Sequence, residues 1–225
     1  QHTFWCTIDP KHPAYTQELA ARHGHAIADC YGRLDAVLGR AMTALGERGT
    51  VAVLSDHGFT PFHTAVHLNA LLRELGFLSL RDGSHTSKEF LRDVDWSRTR
   101  AYAIGFNSVY LNLAGREGQG SVRQGEAGAL LKGIARALEG YRDQRTGSSP
   151  IKTVRIASEL YPTSRHKDRP DLIVGYRRGY RASWETALGA VPEKVLEQNA
   201  KRWSGDHLVD AQEVPGVFLS SDPRL

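Results

Sequence analysis

The 225-residue chain has only two cysteines, Cys6 and Cys30, and a single methionine. So few sulfurs exclude a disulfide framework and a cysteine-rich zinc site. They leave open one bridge or two free thiols, and thiols of the second kind are expected to be buried. No run of eighteen apolar residues occurs, which excludes a membrane-spanning helix. The opening residues, Gln1-His2-Thr3-Phe4-Trp5-Cys6, lack an initiator Met and any charged stretch followed by an apolar core. No signal peptide is read in this chain. Internal repeats are absent as well. Net charge is small, since 29 Lys and Arg against 25 Asp and Glu leave +4, with the basic residues interspersed among acids. A dedicated nucleic-acid surface shows a stronger, clustered excess, so nucleic acid is not expected as a partner. A small anionic substrate suits this balance better.

What is present is ordinary for a globular chain: 40% hydrophobic and 24% charged residues, with 22 Gly and 9 Pro. These values argue against collagen-like, low-complexity and disordered classes. The length is enough to bury a substantial core.

Residues 3–8 form a short apolar and aromatic run ending at Asp9-Pro10, which reads as a strand followed by a loop. From about Tyr15 to Leu45, apolar residues recur at three- and four-residue steps, predicting a long amphipathic helix bent near Gly24 or Gly32. Residues 50–55 are a continuous apolar run with little alternation, the pattern of a strand buried on both faces of a parallel sheet. A helix followed by a buried strand points to α/β architecture. A short helix is expected over 67–75 and a short strand over 76–80. Residues 81–169 are richer in Gly, Arg, Ser and Asp. Strands are predicted there at 100–104, 108–113 and 151–156, with a helix near 126–138. This stretch is read as an insertion or cap between core portions 1–80 and 170–225. Residues 171–176 and 214–220 return to buried-strand chemistry.

The most informative segment is Val51-Ala52-Val53-Leu54-Ser55-Asp56-His57-Gly58-Phe59. In open α/β sheets, ligands bind beyond the carboxyl ends of strands, where Asp56 and His57 would lie. Both residue types ligate dications such as Zn²⁺. Asp9 and His12 follow the first expected strand, and Asp206-His207 precede the last. Each pair alone is ordinary, but three Asp/His groups at three strand edges suit a metal centre. His63 and His67 share an i, i+4 spacing without the Glu of a zincin motif, so ordinary surface histidines are expected there. The basic stretch Arg165-His166-Lys167-Asp168-Arg169, with Arg177, Arg178 and Arg181, is read as a solvated loop and, more weakly, as a phosphate-attracting surface.

Val53-Leu54-Ser55-Asp56-His57-Gly58-Phe59 resembles the Ser-Asp-His-Gly signature of the alkaline phosphatase superfamily. The similarity is to its type I phosphodiesterase/nucleotide pyrophosphatase branch, including predicted phosphohydrolases and phosphomutases. Further matches follow in family order: Val66-His67-Leu68-Asn69 with Leu72; Tyr110-Leu111-Asn112-Leu113, then Gly115-Arg116-Glu117 and Gly120; Pro170-Asp171-Leu172-Ile173-Val174; and Gly205-Asp206-His207 leading to Val214-Pro215-Gly216-Val217.

The resemblance implies a three-layer αβα sandwich with a mostly parallel central sheet and two divalent metal ions, usually zinc. One metal would take Asp56 and His57, and the other Asp9, His12 and His207. In such sites one metal activates the nucleophile and the other stabilises oxygens of the transferring phosphoryl group. The implied activity is hydrolysis of a small phosphate ester. Two departures are visible. Only two residues separate Asp9 from His12 where the family has three, with Pro13 in the expected position. The family's N-terminal Asp ligand and its Thr or Ser nucleophile have no counterpart here and are expected upstream of Gln1, with the N-terminal part of the domain. Phosphomonoesterase, phosphomutase and sulfatase-like activities are variants within this class. The rival class is a non-catalytic homologue that binds metal or phosphate.

Overall fold

The computed structural model describes residues 1–164, 166 and 168–225, and it is a mixed α/β structure. The predicted long helix is two helices. Thr16 starts α1 (Gln17–His23) by accepting a hydrogen bond from the Leu19 N–H, a standard N-cap. The break expected at one of two glycines falls at Gly24, where a Cβ would lie 2.6 Å from the Ala20 carbonyl oxygen. Helix α2 (Ala26–Leu45) then runs to Gly46, whose φ of 57° stops it, a conformation glycine adopts without steric cost.

The remaining elements, in chain order, are β1 (Ala52–Leu54), β2 (Thr60–Val66), α3 (Leu68–Glu74), β3 (Ala101–Ala103), β4 (Ser108–Leu111), α4 (Gln124–Gly140), β5 (Ile151–Ile156), α5 (Ala157–Leu160), β6 (Leu172–Tyr176), β7 (Gly179–Ala182), α6 (Trp184–Ala187), β8 (Leu196–Gln198), β9 (Gly205–Asp206) and β10 (Phe218–Ser220). They fall into two compact units. The first comprises residues 1–63, 199–207 and 211–225, and the second residues 64–198 and 208–210. The strands of the expected cap are not a layer of their own, because β3, β4 and β5 share one four-stranded sheet with β6, in the order β3-β4-β6-β5.

In the first unit, β1 pairs antiparallel with β10, with Val53 opposite Leu219. Here the sequence reading is corrected twice. Residues 52–54 are not buried on both faces, since Leu54 is 69% exposed, and Phe218 and Leu219 of β10 are exposed too. An apolar run registers a propensity for burial; a strand in a two-stranded ladder has too little around it to achieve it. The expected strand over 3–8 is instead a turn leading into a 3-10 helix at Trp5–Thr7. Both cysteines are free, Cys6 buried and Cys30 exposed. The exposure of Cys30 corrects the expectation of two buried thiols and follows from α2, none of whose residues is buried.

The apolar core belongs to the second unit, where Leu68, Leu71, Leu72, Leu111, Ile134, Leu138, Leu172 and Tyr176 pack together almost without exposure. Helix α4 contributes Ile134 and Leu138, four residues apart on one face. Every ladder whose register is described is antiparallel, where the sequence led us to expect a mostly parallel sheet. For β3 and β4 the reason is connection length: residues 104–107 alone join them, and a parallel crossover needs a dozen or more. Asn69 locks α3 to this sheet. Its Nδ2 donates to the Ala103 carbonyl at 2.8 Å and the Ala190 carbonyl at 3.3 Å, and its Oδ1 accepts from the Ala103 N–H at 2.7 Å.

Among the described residues, no helix is long and apolar enough to cross a membrane. Asn69→Ala is expected to destabilise the second unit by about 3 kcal/mol, because it leaves buried backbone groups without partners. Chemical denaturation of parent and variant measures the difference.

Candidate functional site

The first unit is stitched by a backbone seam. Antiparallel pairing sets Thr60 opposite Asp206 and Pro61 opposite Gly205, and the Phe62 N–H donates to the Ser204 carbonyl at 2.8 Å. The N–H groups of Ser204 and Gly205 in turn donate to the His2 carbonyl at 2.7 and 3.0 Å. Two glycines allow these close approaches. At Gly205 a Cβ would lie 2.9 Å from the Trp5 Cβ, and at Gly58 one would lie 2.9 Å from the Pro215 carbonyl oxygen. The seam collects segments that are far apart in sequence, around residues 2, 57–62 and 204–207.

The result is a histidine cluster. The rings of His57 and His207 stack 3.8 Å apart at 13°, and His2 lies 5.5 Å from His207, centroid to centroid. Trp203 covers His2 at 3.9 Å, and Phe59 meets His2 edge-on at 4.7 Å. Orientation follows from the carbonyl partners. His57 Nδ1 is 2.9 Å from the Gly58 oxygen and His2 Nδ1 is 2.7 Å from the Gly205 oxygen. A carbonyl only accepts, so each Nδ1 carries a proton, which leaves Nε2 as the nitrogen that a metal ion would take. Asp56 Oδ2 lies 3.6 Å from His57 Nε2. Asp206 fixes the turn before His207, accepting from the His207 N–H at 2.8 Å and the Trp203 Nε1–H at 2.7 Å. Burial, the charge of His57 and that of His2 hold His207 below its ordinary value against the pull of Asp206 and Asp56, which favours the neutral ring.

Asp9 and His12 form a second group, centred on His63. His63 Nε2 is 2.6 Å from Asp9 Oδ2, and the His12 and His63 rings are 5.6 Å apart. Asp9 Oδ1 accepts the Lys11 N–H at 3.0 Å. Both nitrogens of the buried His12 ring are used: Nε2 donates to the Phe62 carbonyl at 2.9 Å, and Nδ1 accepts from the Ala14 N–H at 3.0 Å. Burial lowers the pKa of His12, keeping the ring neutral in this role.

Of the five residues singled out as metal ligands, the structure thus joins Asp56, His57 and His207, and gathers Asp9 and His12 elsewhere. His2 was not singled out from the sequence, and His63 was read there as an ordinary surface histidine. No local spacing links position 2 to position 207, so only the fold reveals that pair. Among the described residues, no three His, Cys, Asp or Glu side chains are closed around a metal position. The expected surface histidines are also corrected. His63 is half-buried, and His67 is buried in the second unit with Nδ1 2.8 Å from Ser183 Oγ, where β2 turns into α3.

Among the described residues, the basic side chains do not converge on one point. Arg169 donates to the Tyr161 and Ser164 carbonyls, and Arg177 to the Ser149 carbonyl. The buried Arg181 lies between the Phe106 and Trp184 rings at 4.7 and 4.5 Å. Arg165 and Lys167 lie outside the described residues.

A mixed α/β chain carrying Asp-His pairs at the ends of strands has the features of the alkaline phosphatase superfamily, and the comparison with known families agrees. Within that superfamily the chain belongs to the type I phosphodiesterase / nucleotide pyrophosphatase family, whose sequence profile matches residues 2–203. No curated protein matches the chain.

The Asp9–His63 pair makes a pH prediction. Burial raises the Asp9 carboxyl, but the hydrogen bonds from His63 and the Lys11 N–H, with the positive charge of a protonated His63, outweigh it and leave the group below its ordinary 3.8. Its contribution to stability is therefore complete above that value and is lost as pH falls through the lowered one. The stability gap between parent and Asp9→Asn, measured by denaturant unfolding, should be open at pH 7 and close in strong acid.

Proposed function

We propose that this chain carries the metal-binding part of a phosphodiesterase or nucleotide pyrophosphatase acting on a small phosphate ester, with His2, Asp56, His57 and His207 as its metal ligands. The observation that carries the reading is the orientation of His2 and His57, each with Nδ1–H on a backbone carbonyl and Nε2 presented. Imidazoles and a carboxylate are the donor types that zinc prefers, so the residue types, though not their present spacing, suit the dication that the family implies. When bound, a pair of such ions would supply charge to the oxygens of a transferring phosphoryl group and activate the attacking one.

The protein's own residues do the rest. The Gly58 and Gly205 carbonyls fix two tautomers. Asp206 and Trp203 hold the turn that carries His207, and Phe59 and Trp203 pack against the His2 ring. Asp9 and His12 stand outside the proposed set, because their polar atoms are engaged in shaping the loop before α1. The reading keeps the sequence expectation that the Thr or Ser nucleophile, an Asp ligand and the strands completing an αβα sandwich come from a segment upstream of Gln1. The exposed faces of β1 and β10 support that expectation, since an open apolar sheet edge is normally covered.

Calorimetric titration with Zn²⁺ tests the ligand assignment. His2→Ala and His57→Ala are each expected to weaken binding at least tenfold, as loss of a ligand should cost no less than loss of its supporting partner. His12→Ala should leave it unchanged, and unchanged affinity in His2→Ala would contradict the assignment. Turnover of an aryl phosphodiester by an upstream-extended chain with zinc, lost in His57→Ala, would support the hydrolase reading. Tight zinc binding without turnover in that chain would favour the non-catalytic one.

A further inference from the structure

The second unit contains a cavity of about 400 Å³ with Leu91, Trp96, Tyr102, Asn112, Glu117 and Gln119 in its wall. Two of these are aromatic and set at right angles, with the Trp96 and Tyr102 rings 5.2 Å apart at 87°. Tyr102 is held from behind by Tyr110, stacked at 5.5 Å. Its hydroxyl donates to Glu117 Oε1 at 3.2 Å. Burial and the Glu117 charge keep the phenol well above its ordinary range, so the ring is that of a neutral tyrosine.

The charge around this corner does not balance. Arg116 donates to Glu117 Oε1 at 2.8 Å and grips Asp171 through both terminal nitrogens, at 3.1 and 2.6 Å. One guanidinium thus serves two carboxylates, leaving one net negative charge on the group. No Lys, Arg or His is among the residues lining the cavity. A further acceptor is without a partner. Asn112 is fully buried, its Nδ2 donates to the Trp96, Thr99 and Gln119 carbonyls at 2.7, 3.0 and 3.0 Å, and its Oδ1 has no hydrogen-bond partner among the described residues.

Perpendicular π faces, a carboxylate with surplus charge and a wall without cations repel anions and attract a compact organic cation. We infer that this cavity binds an alkylammonium group, seated against Trp96 and Tyr102 with Glu117 as its counter-charge. The cavity has room for a small cation of this type and its first substituents. Residues Tyr110-Leu111-Asn112-Leu113 and Gly115-Arg116-Glu117 are family-like motifs that the histidine cluster does not use. They build this corner, and the binding does not depend on zinc or on hydrolysis.

Titration of the full chain with tetramethylammonium, methylammonium and the neutral tert-butanol, followed by the Trp96 indole resonance at constant ionic strength, tests it. Saturable shifts are expected for the two cations and none for the alcohol. Glu117→Gln should weaken cation binding roughly tenfold, since it removes the counter-charge while keeping the acceptor, and Trp96→Leu should remove it. Absence of saturation, equal response to tert-butanol, or undiminished binding in a folded Glu117→Gln variant overturns the inference. If either variant fails to fold, the comparison of cation with alcohol in the parent decides alone.

Discussion

The backbone seam among residues 2, 60–62 and 204–206 is the constraint from which the candidate site follows. The His2 carbonyl accepts two N–H groups, from Ser204 and Gly205, while the Gly205 carbonyl accepts back from the His2 ring. This reciprocal clasp fixes both the position of the chain at residue 2 and the tautomer of its side chain. The Thr60–Asp206 pairing then sets where residues 57–59 arrive and where His207 departs. Each hydrogen bond contributes only about 1 kcal/mol net, so the clasp acts through convergence rather than through any one strong contact.

The two units hold themselves together by different means. The second has a continuous apolar core, and burial of that kind is the dominant favourable term in folding. In the first, the buried apolar side chains are few, chiefly Cys6, Phe62 and Val214, beside buried Thr7, His12, Thr60, Asn199, Ser204 and Asp206. Its order rests on satisfying these polar groups, all but the Thr60 hydroxyl, which has no hydrogen-bond partner among the described residues. Asn199 shows how, donating to both the Phe62 and Trp203 carbonyls. A network of this type is directional, which suits a region that must present imidazole nitrogens at set angles. It also tolerates poorly the loss of a single member.

The second unit was legible in the sequence to a useful degree. The strand predicted at 151–156 is β5, the predicted pair is β3 and β4, and the predicted helices are α3 and α4. Those elements have clear periodicity or β-branched runs. Residues 3–8 misled because a short aromatic run carries no periodicity to separate strand from turn. Asp56-His57 was readable because strand, Asp-His and glycine are contiguous. His2 was not, since its partners stand at 59, 203, 205 and 207. Asp9 and His12 looked like ligands by residue type and by their place after the first expected strand. Only the hydrogen bonds of the His12 ring show that both its nitrogens are already used.

The central claim is that His2, rather than Asp9 or His12, joins Asp56, His57 and His207 at the metal. The most direct measurement is side-chain ¹⁵N NMR of the histidines before and after one equivalent of Zn²⁺. The account predicts metal-induced shifts for the ring nitrogens of His2, His57 and His207, with His12 and His63 unmoved. Shifts at His12 with His2 unchanged would contradict it.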